Sequence, residues 1–462
     1  MAHNCEVRST VELPAAALTL IGALEQAGFE AWAVGGCVRD GLLGRPAGDC
    51  DIATAAPWQQ TERILAEAGF DVHRTGTKHG TVTATRGGEA FEVTTYRTEA
   101  GYSDGRHPDS VALAGSIEED LARRDFTVNA LAYHPQRGLL DCFGGREDLA
   151  AGLLRAVGDP GTRFAEDGLR ILRGLRFASQ LGFDLEPRTL QSMKAQKMML
   201  QKVSAERIVH EMDGLLLGDY AHDALMPAID ILGAIMPEIV ACKGFQQHTP
   251  YHIYDVWEHT AWVVQRSPAT RLARWSSFFH DTGKPASFFM EGDRGHCYGH
   301  GKLSVIIARE VMGRLKMAPR FIEDVATLVR IHDRQIAPSA KSVHRALMKL
   351  DGDVELFRAL LGLKRADALA QSDLSAPRLQ TAVEIEALLE QLLAADEAFT
   401  VGQLAIDGND AQAMGLAPGP AIGALLQEAL EAVIDGTVAN EREPLLGFAA
   451  RWVETEGSGS AI

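Results

Sequence analysis

Two aspartates separated by one residue, Asp49 and Asp51, are the side chains of this chain best suited to chemistry. They follow a predicted apolar strand, a Gly-Gly turn and a short helix, and a second strand is predicted over residues 50–52. Because strand side chains alternate between faces, we expect both carboxylates on one face. Such a pair can hold two Mg²⁺ ions, which align a hydroxyl with a nucleotide α-phosphate and stabilise the leaving pyrophosphate. The pattern predicts nucleotidyl transfer.

The segment before the aspartates is suited to binding a triphosphate. Gly35 and Gly36 lack a Cβ, so the backbone can approach phosphates closely, and Arg39 lies one helical turn further on, where it can pair with them. An isolated Asp-x-Asp or Gly-Gly is most often a simple turn. The full order of strand, Gly-Gly, Arg-Asp and Asp-x-Asp is more restrictive. It resembles the signature of the class II polymerase-β-like nucleotidyltransferases, which include bacterial CCA-adding enzymes and poly(A) polymerases.

Later segments continue this resemblance in the family's order. Glu92 matches the family's third carboxylate, which activates the attacking 3′-hydroxyl or positions its metal; the alternative is a solvent-facing strand glutamate. The resemblance also implies that Arg124 and Asp125 contact the nucleotide, with Asn129 supporting them. The polar loop over residues 97–108 resembles the element that the family needs for the final A addition, so it favours full CCA addition.

A helix predicted across residues 163–177 would place Asp167, Arg170 and Arg173 on one face, with Arg176 one turn further. A salt-bridged surface helix is the simpler interpretation of such charges. The spacing resembles the family's Glu-Asp-x-x-Arg motif, which implies that Asp167 and Arg170 select the base while Arg173 and Arg176 bind triphosphate or brace the pocket. C and A both offer an amino donor beside a ring-nitrogen acceptor, whereas U and G do not. A carboxylate and a guanidinium can therefore select them without a template.

The choice between CCA addition and polyadenylation depends on fewer residues. The segment Gly76-Thr77-Lys78-His79-Gly80-Thr81 resembles the CCA-adding version of the region after the Asp-x-Asp strand. The Gly-Arg-Arg-Phe pattern of bacterial poly(A) polymerases is absent from this sequence, as is a strongly basic C-terminal tail. We therefore expect CCA addition, with poly(A) polymerase as the alternative.

A separate set of residues resembles the HD phosphohydrolase superfamily. The resemblance implies a ligand set of His259, His280, Asp281 and Asp367, with His300 and His332 nearby and Lys284 placed to hold a phosphate. Mixed imidazole and carboxylate donors suit Mn, Ni or Co better than structural zinc. An active site of this kind would hydrolyse cyclic 2′,3′-phosphates or phosphomonoesters at RNA ends. The alternative is a relic that only supports the tail.

Two other functions are a metal phosphohydrolase with a vestigial head and a non-catalytic RNA-binding module. Both are disfavoured, because a decayed head would lose charged residues that are costly to bury. The complete set is Gly36, Arg39, Asp49, Asp51, Glu92, Arg124 and Asp167.

The chain has 462 residues, a net charge of −17 and six scattered cysteines, which excludes a generic nucleic-acid coat and a disulfide scaffold. We expect an α+β protein with a polymerase-β-like nucleotidyltransferase head over residues 18–150. An all-α neck (151–220), an HD domain (221–375) and a helical tRNA-binding tail (376–462) follow it. The expected partners are the tRNA 3′ end, ATP, CTP and Mg²⁺, with no membrane and no DNA. Without a signal segment, a cytoplasmic location is expected.

Overall fold

The computed structural model describes residues 7–46, 48–100, 110–113, 115–395 and 397–456. These residues form two compact units: one comprises residues up to 240 together with 314–317, and the other comprises 241–313 and the chain from 318 onward. Across the described ranges, no helix combines the length and apolar character needed to cross a membrane.

The first unit is built on a seven-stranded sheet in the order β3-β4-β5-β2-β1-β8-β9, in which β2 and β5 run parallel and the other neighbours run antiparallel. The strands are β1 (Ala31–Val34), β2 (Asp51–Thr54), β3 (Asp71–Gly76), β4 (Thr81–Arg86), β5 (Glu89–Thr95), β6 (Arg97–Ala100), β7 (Ser110–Leu113), β8 (Leu131–His134) and β9 (Gly138–Asp141). Strands β6 and β7 form a separate antiparallel pair.

The middle of the sheet is buried on both faces, which fits its uninterrupted apolar sequence. Every residue of β1 is buried. Trp32 and Val34, two residues apart, join a cluster with Tyr96 and Leu121, and the helix over residues 15–26 contacts β1 as well. Side chains that alternate between two covered faces fix the register of β1 against β2, and this register sets where the chain leaves the sheet.

Helices surround and follow this sheet. They are α1 (Ala15–Gln26), α2 (Gly36–Leu42), α3 (Trp58–Glu67), α4 (Ile117–Ala122), α5 (Gly145–Ala151), α6 (Pro160–Glu166), α7 (Leu169–Leu181), α8 (Pro187–Ala195), α9 (Ala205–Leu217), α10 (Ala221–Leu225) and α11 (Ile229–Leu232). A short parallel pair, β10 (Leu153–Leu154) with β11 (Asp184–Leu185), lies among them. Helix α7 packs closely against α9.

The single helix predicted across residues 163–177 is interrupted. Asp167 has extended backbone angles (φ −141°, ψ 109°) between α6 and α7. The next residue, Gly168, lies so close to a neighbouring segment that a Cβ there would stand 2.8 Å from the carbonyl oxygen of Met199. The prediction was wrong because the polar periodicity continues through a site where tertiary packing, rather than helical propensity, sets the backbone.

The second unit is mostly helical. Its elements are α12 (Val256–Arg266), α13 (Arg271–Phe279), α14 (Lys284–Ser287), β12 (Phe289–Glu291), β13 (Arg294–His296), α15 (His300–Arg314), α16 (Pro319–Ile331), α17 (Ala340–Met348), α18 (Val354–Leu369), α19 (Ala376–Ala394), α20 (Gly408–Ala413), α21 (Pro420–Ile434) and α22 (Arg442–Glu456). Leu328, Val343, Phe357 and Leu389 help to form its apolar core. The β12–β13 hairpin is a departure from the expected all-helical segment. Together with the sheet of the first unit, this architecture agrees with the predicted α+β class.

Candidate active site and candidate metal centre

Three carboxylates meet where β2 and β5 lie side by side. Asp51 is the first residue of β2, and the parallel register places Glu92 of β5 beside it, as predicted. Burial raises the pKa of Asp51 to about 6; nearby Arg124 opposes the shift, while Glu92 and Asp49 add to it. A half-buried carboxylate among further negative charges is stabilised by a bound cation. The oxygen donors present therefore fit Mg²⁺.

Asp49 reaches this group from outside the sheet. Strand β2 begins at Asp51, which lies opposite Val34, the last residue of β1. After Val34 the chain turns at Gly35 into α2, which begins at Gly36. The pairing of β1 with β2 therefore ends at Asp51 and does not include Asp49. The prediction that one strand carries both aspartates was wrong, because Asp49 lies before the first residue of the strand. Asp49 is exposed, and its negative charge raises the pKa of Asp51.

A glycine makes room for an arginine beside these carboxylates. Gly35 has a φ of +74°, and a Cβ there would stand 2.8 Å from Nη1 of Arg124. The Arg124 guanidinium donates to Asp120 at 3.3 Å and to the backbone oxygen of Asn129 at 3.5 Å. Asp120 is almost fully buried, and sequence analysis missed it. Its position four residues before Arg124 on a helical segment was the available signal.

A chain of polar contacts links α2 to α7. Arg39 donates from Nη1 to Oδ1 of Asn129 at 2.6 Å and from Nε to Asp40 at 2.8 Å, and its side chain is only 10% exposed. Asn129 donates to Asp125 at 3.2 Å, and Arg173 donates to the other carboxylate oxygen of Asp125 at 2.7 Å. Although burial opposes it, the Arg173 charge lowers the pKa of Asp125 to about 2. Arg39 thus braces Asn129 within a connected network.

The predicted base-selecting residues have protein partners of their own. Asp167 accepts from the backbone N–H of Leu169 at 2.9 Å and from Nη2 of Arg207 at 2.9 Å. Arg170 is buried and pairs with Glu166 at 2.5 Å. Because α6 ends before Asp167, the expectation that Asp167 shares a helix face with Arg170 was wrong.

Phe177 is a component of this region that sequence analysis missed. The guanidinium groups of Arg39, Arg173 and Arg176 lie 5.3, 5.2 and 4.3 Å from the centre of its ring. Arg176 also pairs with buried Glu211 at 2.6 Å. An aromatic residue within an arginine-rich helix was the available signal. The ring gathers three cations beside the carboxylate network. Most of the predicted loop over residues 97–108 lies outside the described residues.

The second unit brings six side chains of metal-ligand type into one cluster. Two groups have donor atoms within 4.8 Å of one another: His259, His280 and Asp367 form one, and Asp281, His300 and His332 form the other. The donors come from α12, the ends of α13 and α16, the start of α15, and α18. The structure thus gathers the four predicted ligands and both additional histidines.

The imidazole rings are oriented by backbone carbonyls. In His259, His280, His300 and His332, Nδ1 lies 3.2, 2.7, 2.9 and 2.7 Å from the carbonyl oxygens of Ala370, Ser277, Cys297 and Val329. A carbonyl only accepts, so Nδ1 carries a proton in each ring, and a ring without a second proton presents the Nε2 lone pair. Yet the His259 and His280 Nε2 atoms are 3.3 Å apart, and those of His300 and His332 are 3.2 Å apart. Facing lone pairs of this kind require a shared proton or a metal ion.

Asp281 joins the two groups. Its Oδ2 lies 3.4 and 3.2 Å from Nε2 of His259 and His280, and its Oδ1 lies 3.3 and 3.7 Å from Nε2 of His300 and His332. Lys284 pairs with Oδ2 at 2.6 Å. Although burial opposes it, the charges of His280 and Lys284 hold the pKa of Asp281 well below its usual range. The imidazole and carboxylate donors fit a divalent transition metal.

Comparisons with known proteins cover nearly the whole chain. Family profiles match "Poly A polymerase head domain" over residues 31–155, "Probable RNA and SrmB-binding site of polymerase A" over 182–242 and a tRNA nucleotidyltransferase domain 2 over 302–449.

The CCA-adding enzyme of Limosilactobacillus fermentum is 34% identical over 92% of this chain and 94% of its own. That of Lactiplantibacillus plantarum is 32% identical over 95% and 97%. The crystal structure of the Bacillus stearothermophilus CCA-adding enzyme in complex with CTP superposes with a TM-score of 0.73, at 29% identity over 96% of this chain and 98% of that one. The chain belongs to the family of CCA-adding enzymes.

Proposed function

We propose that the carboxylate group of the first unit adds C, C and A to the 3′ end of tRNA from CTP and ATP. The observation that carries this proposal is the strand register that sets Glu92 beside Asp51, in a chain of the CCA-adding family. Asp49 and Asp51 would hold Mg²⁺, and Glu92 would receive or orient the proton of the attacking 3′-hydroxyl. Bound Mg²⁺ supplies the positive charge that offsets the charge developing on the α-phosphate and the pyrophosphate.

The protein's own cations place the triphosphate. Arg124 lies over the glycine turn, so its guanidinium can reach phosphate oxygens that the absence of a Cβ at Gly35 lets approach. Asp125 holds Arg173 in one orientation at 2.7 Å. Arg176 is directed towards the same region over Phe177. The nucleotide would thereby be fixed with its α-phosphate towards the carboxylates.

Base selection by Asp167 and Arg170 requires an exchange of partners. Arg207 pairs with the carboxylate of Asp167, and Glu166 pairs with the guanidinium of Arg170. A base would replace these partners. An incoming C or A offers Asp167 an amino donor and offers Arg170 a ring-nitrogen acceptor, so both groups stay paired. U or G would leave them unpaired in a buried pocket, which is the costly outcome that rejects those bases.

The test uses tRNA transcripts that end before the CCA, after one C and after both, each with CTP, ATP, UTP or GTP alone and in combination. We expect two C additions, then one A and a stop, all lost in Asp49→Ala. Long A tails without C would instead establish a poly(A) polymerase. Addition of C without A would contradict the role given to the loop over residues 97–108.

A second activity is supported by the facing imidazoles of the second unit. With Mn, Ni or Co bound to His259, His280, Asp281 and Asp367, the site would hydrolyse phosphate esters at RNA ends. For a cyclic 2′,3′-phosphate, water adds to phosphorus, one P–O bond to the ribose breaks, and that ribose oxygen takes up a proton. A metal ion supplies this reaction with a water of lowered pKa. Elemental analysis after metal loading, combined with conversion of 2′,3′-cyclic AMP to 2′-AMP or 3′-AMP, tests it. Metal without hydrolysis would indicate a purely structural site.

A further inference from the structure

The hairpin β12–β13 and the residues just after it place three aromatic rings in mutual contact on the surface of the second unit. Phe289 and His296 lie opposite each other in the ladder, with ring centres 5.5 Å apart and planes at 26°. The Tyr298 ring contacts both of them: its centre lies 5.1 Å from that of His296, with planes at 31°, and 5.6 Å from that of Phe289, with planes at 54°. Tyr298 is 70% exposed and Phe289 is 43% exposed. Exposed rings of this kind present aromatic surface to solvent, against which a flat partner can pack.

Two of these aromatic rings line the same cavity as the metal-ligand cluster. Tyr298 and His296 line the same space of about 550 Å³ as Asp281, His332 and Asp367. Only Gly299 separates Tyr298 from His300, the first residue of α15, whose Nε2 faces Asp281. A volume of this size accommodates a small organic ligand. A ligand that binds the cluster can therefore extend to the rings.

The walls of the cavity are positively charged. Besides Lys284, which pairs with Asp281, they contain Arg294, Lys302, Arg330, Arg334 and Arg378, whereas Asp333 is the acidic wall residue beyond the cluster itself. Arg294 and Arg378 lie 6.0 and 5.5 Å from the Tyr251 ring centre, which holds both guanidiniums at this wall. Cations around a site for divalent metal favour an anionic ligand with more than one charge, such as a phosphate ester.

We propose that Tyr298, packed against His296 and Phe289, is a stacking platform for the base of a phosphorylated nucleoside or RNA 3′ end whose phosphate lies at the histidine–aspartate cluster. This inference rests on the phosphohydrolase proposed for that cluster and assigns its substrate class and a specificity-determining residue. Stacking uses the π-face that every base has, so the platform accepts all four bases. It separates nucleotides from phosphate esters that lack a base.

Binding of two phosphatase-resistant probes tests the platform without relying on turnover. Adenosine 3′-monothiophosphate and base-free glycerol 2-monothiophosphate are titrated into the Mn²⁺-loaded full-length protein, and the change caused by Tyr298→Ala isolates binding at the second unit. We expect Tyr298→Ala to weaken the adenosine probe about tenfold and to leave the glycerol probe unchanged, because stacking on one ring contributes that much. Tyr298→Phe retains the ring and serves as the matched control, with binding close to that of the unaltered protein.

The outcomes separate the platform from the hydrolase. Three results would contradict the proposed platform. They are equal affinity of the unaltered protein for both probes, equal weakening of both by Tyr298→Ala, and binding of neither probe. If glycerol 2-phosphate is nevertheless hydrolysed, the metal-dependent hydrolase stands without it. A Tyr298-dependent preference for the adenosine probe in a protein that hydrolyses neither ester would support the platform and contradict the hydrolase. An unchanged rate of CCA addition in Tyr298→Ala establishes that the first unit is intact.

Discussion

The two candidate sites hold charge in opposite ways. In the first unit, Asp49 and Glu92 are exposed and Asp51 is half-buried, with one arginine, Arg124, close enough to affect it. In the second unit, His280 and Asp281 are at most 1% exposed, and all donor atoms already face one another. The first site is open, and bound Mg²⁺ would supply most of the positive charge that its carboxylates need. The second is a preformed and largely buried donor set at the wall of a cavity.

The difference follows from the elements that carry each site. Of the carboxylates of the first unit, Asp51 lies at the start of a strand, Asp49 lies in the segment before it, and exposed Glu92 lies within the neighbouring strand. The donors of the second unit come from the ends or faces of packed helices, whose carbonyls fix each imidazole ring. An open site suits a polymeric substrate that must move after each addition. A largely buried site suits a tightly held metal.

The largest effect that would sharpen this comparison is expected from Asp51→Asn. Loss of a metal ligand removes several kcal/mol of charge stabilisation, so nucleotide incorporation should fall about 10³-fold. Incorporation of labelled CTP into tRNA lacking CCA measures it. Glu89→Gln changes an exposed carboxylate at the start of β5 and should retain full activity. A loss of less than tenfold in Asp51→Asn would place catalysis elsewhere.

His280→Ala tests the buried donor set. Removing one Nε2 donor should weaken retention of Mn, Ni or Co by at least about a hundredfold, and elemental analysis after gel filtration measures this. CCA addition should be unchanged. His344→Ala is the matched control, because His344 is also buried but pairs with Glu397 outside the cluster. Equal metal retention by the unaltered protein and both variants would contradict the assignment.

Asp167→Asn should relax base choice. An amide presents a donor as well as an acceptor, so the kcat/KM preference for CTP over UTP should fall about tenfold. The exposed Asp184→Asn, on β11, should leave the preference unchanged. If Asp167→Asn lowered CTP and UTP use equally, Asp167 would be a structural partner of Arg207 and not a selecting residue.

The last expected effect concerns stability at low pH rather than activity. The pKa of Asp125 is about 2 in the folded chain against an ordinary 3.8, so its ionisation contributes about 2 kcal/mol of stability above pH 4, lost as the pH falls towards 2. Asp125→Asn should therefore lower the free energy of unfolding in urea at pH 6. The difference from the unaltered protein should shrink to less than half at pH 2.5. A pH-independent difference, or one matched by exposed Asp71→Asn, would contradict this account.

The adjacency of Asp51 and Glu92 was predictable because each residue lies at a short strand recognisable from its own sequence. The break at Asp167 was not, since it depends on the close approach of Gly168 to Met199, residues that are distant in sequence. Phe177 was hidden for a similar reason, because only the fold brings Arg39 from α2 to its ring. The roles assigned to the individual site residues stay predictions.

The second unit shows the same limit. His280-Asp281 is a recognisable pair, but the division of the donors around the two oxygens of Asp281 depends on five helices meeting. The β12–β13 hairpin escaped prediction because two three-residue strands carry almost no alternation. The residue types at each site can be deduced from the sequence, whereas their mutual arrangement requires the tertiary structure.

One crossed measurement tests most directly the claim that each unit carries its own chemistry. The unaltered protein, Asp51→Asn and His280→Ala are each assayed for CCA addition to tRNA and for metal-dependent hydrolysis of 2′,3′-cyclic AMP. We predict that Asp51→Asn loses only addition and that His280→Ala loses only hydrolysis. Loss of both activities in either variant, or survival of addition in Asp51→Asn, would contradict the account.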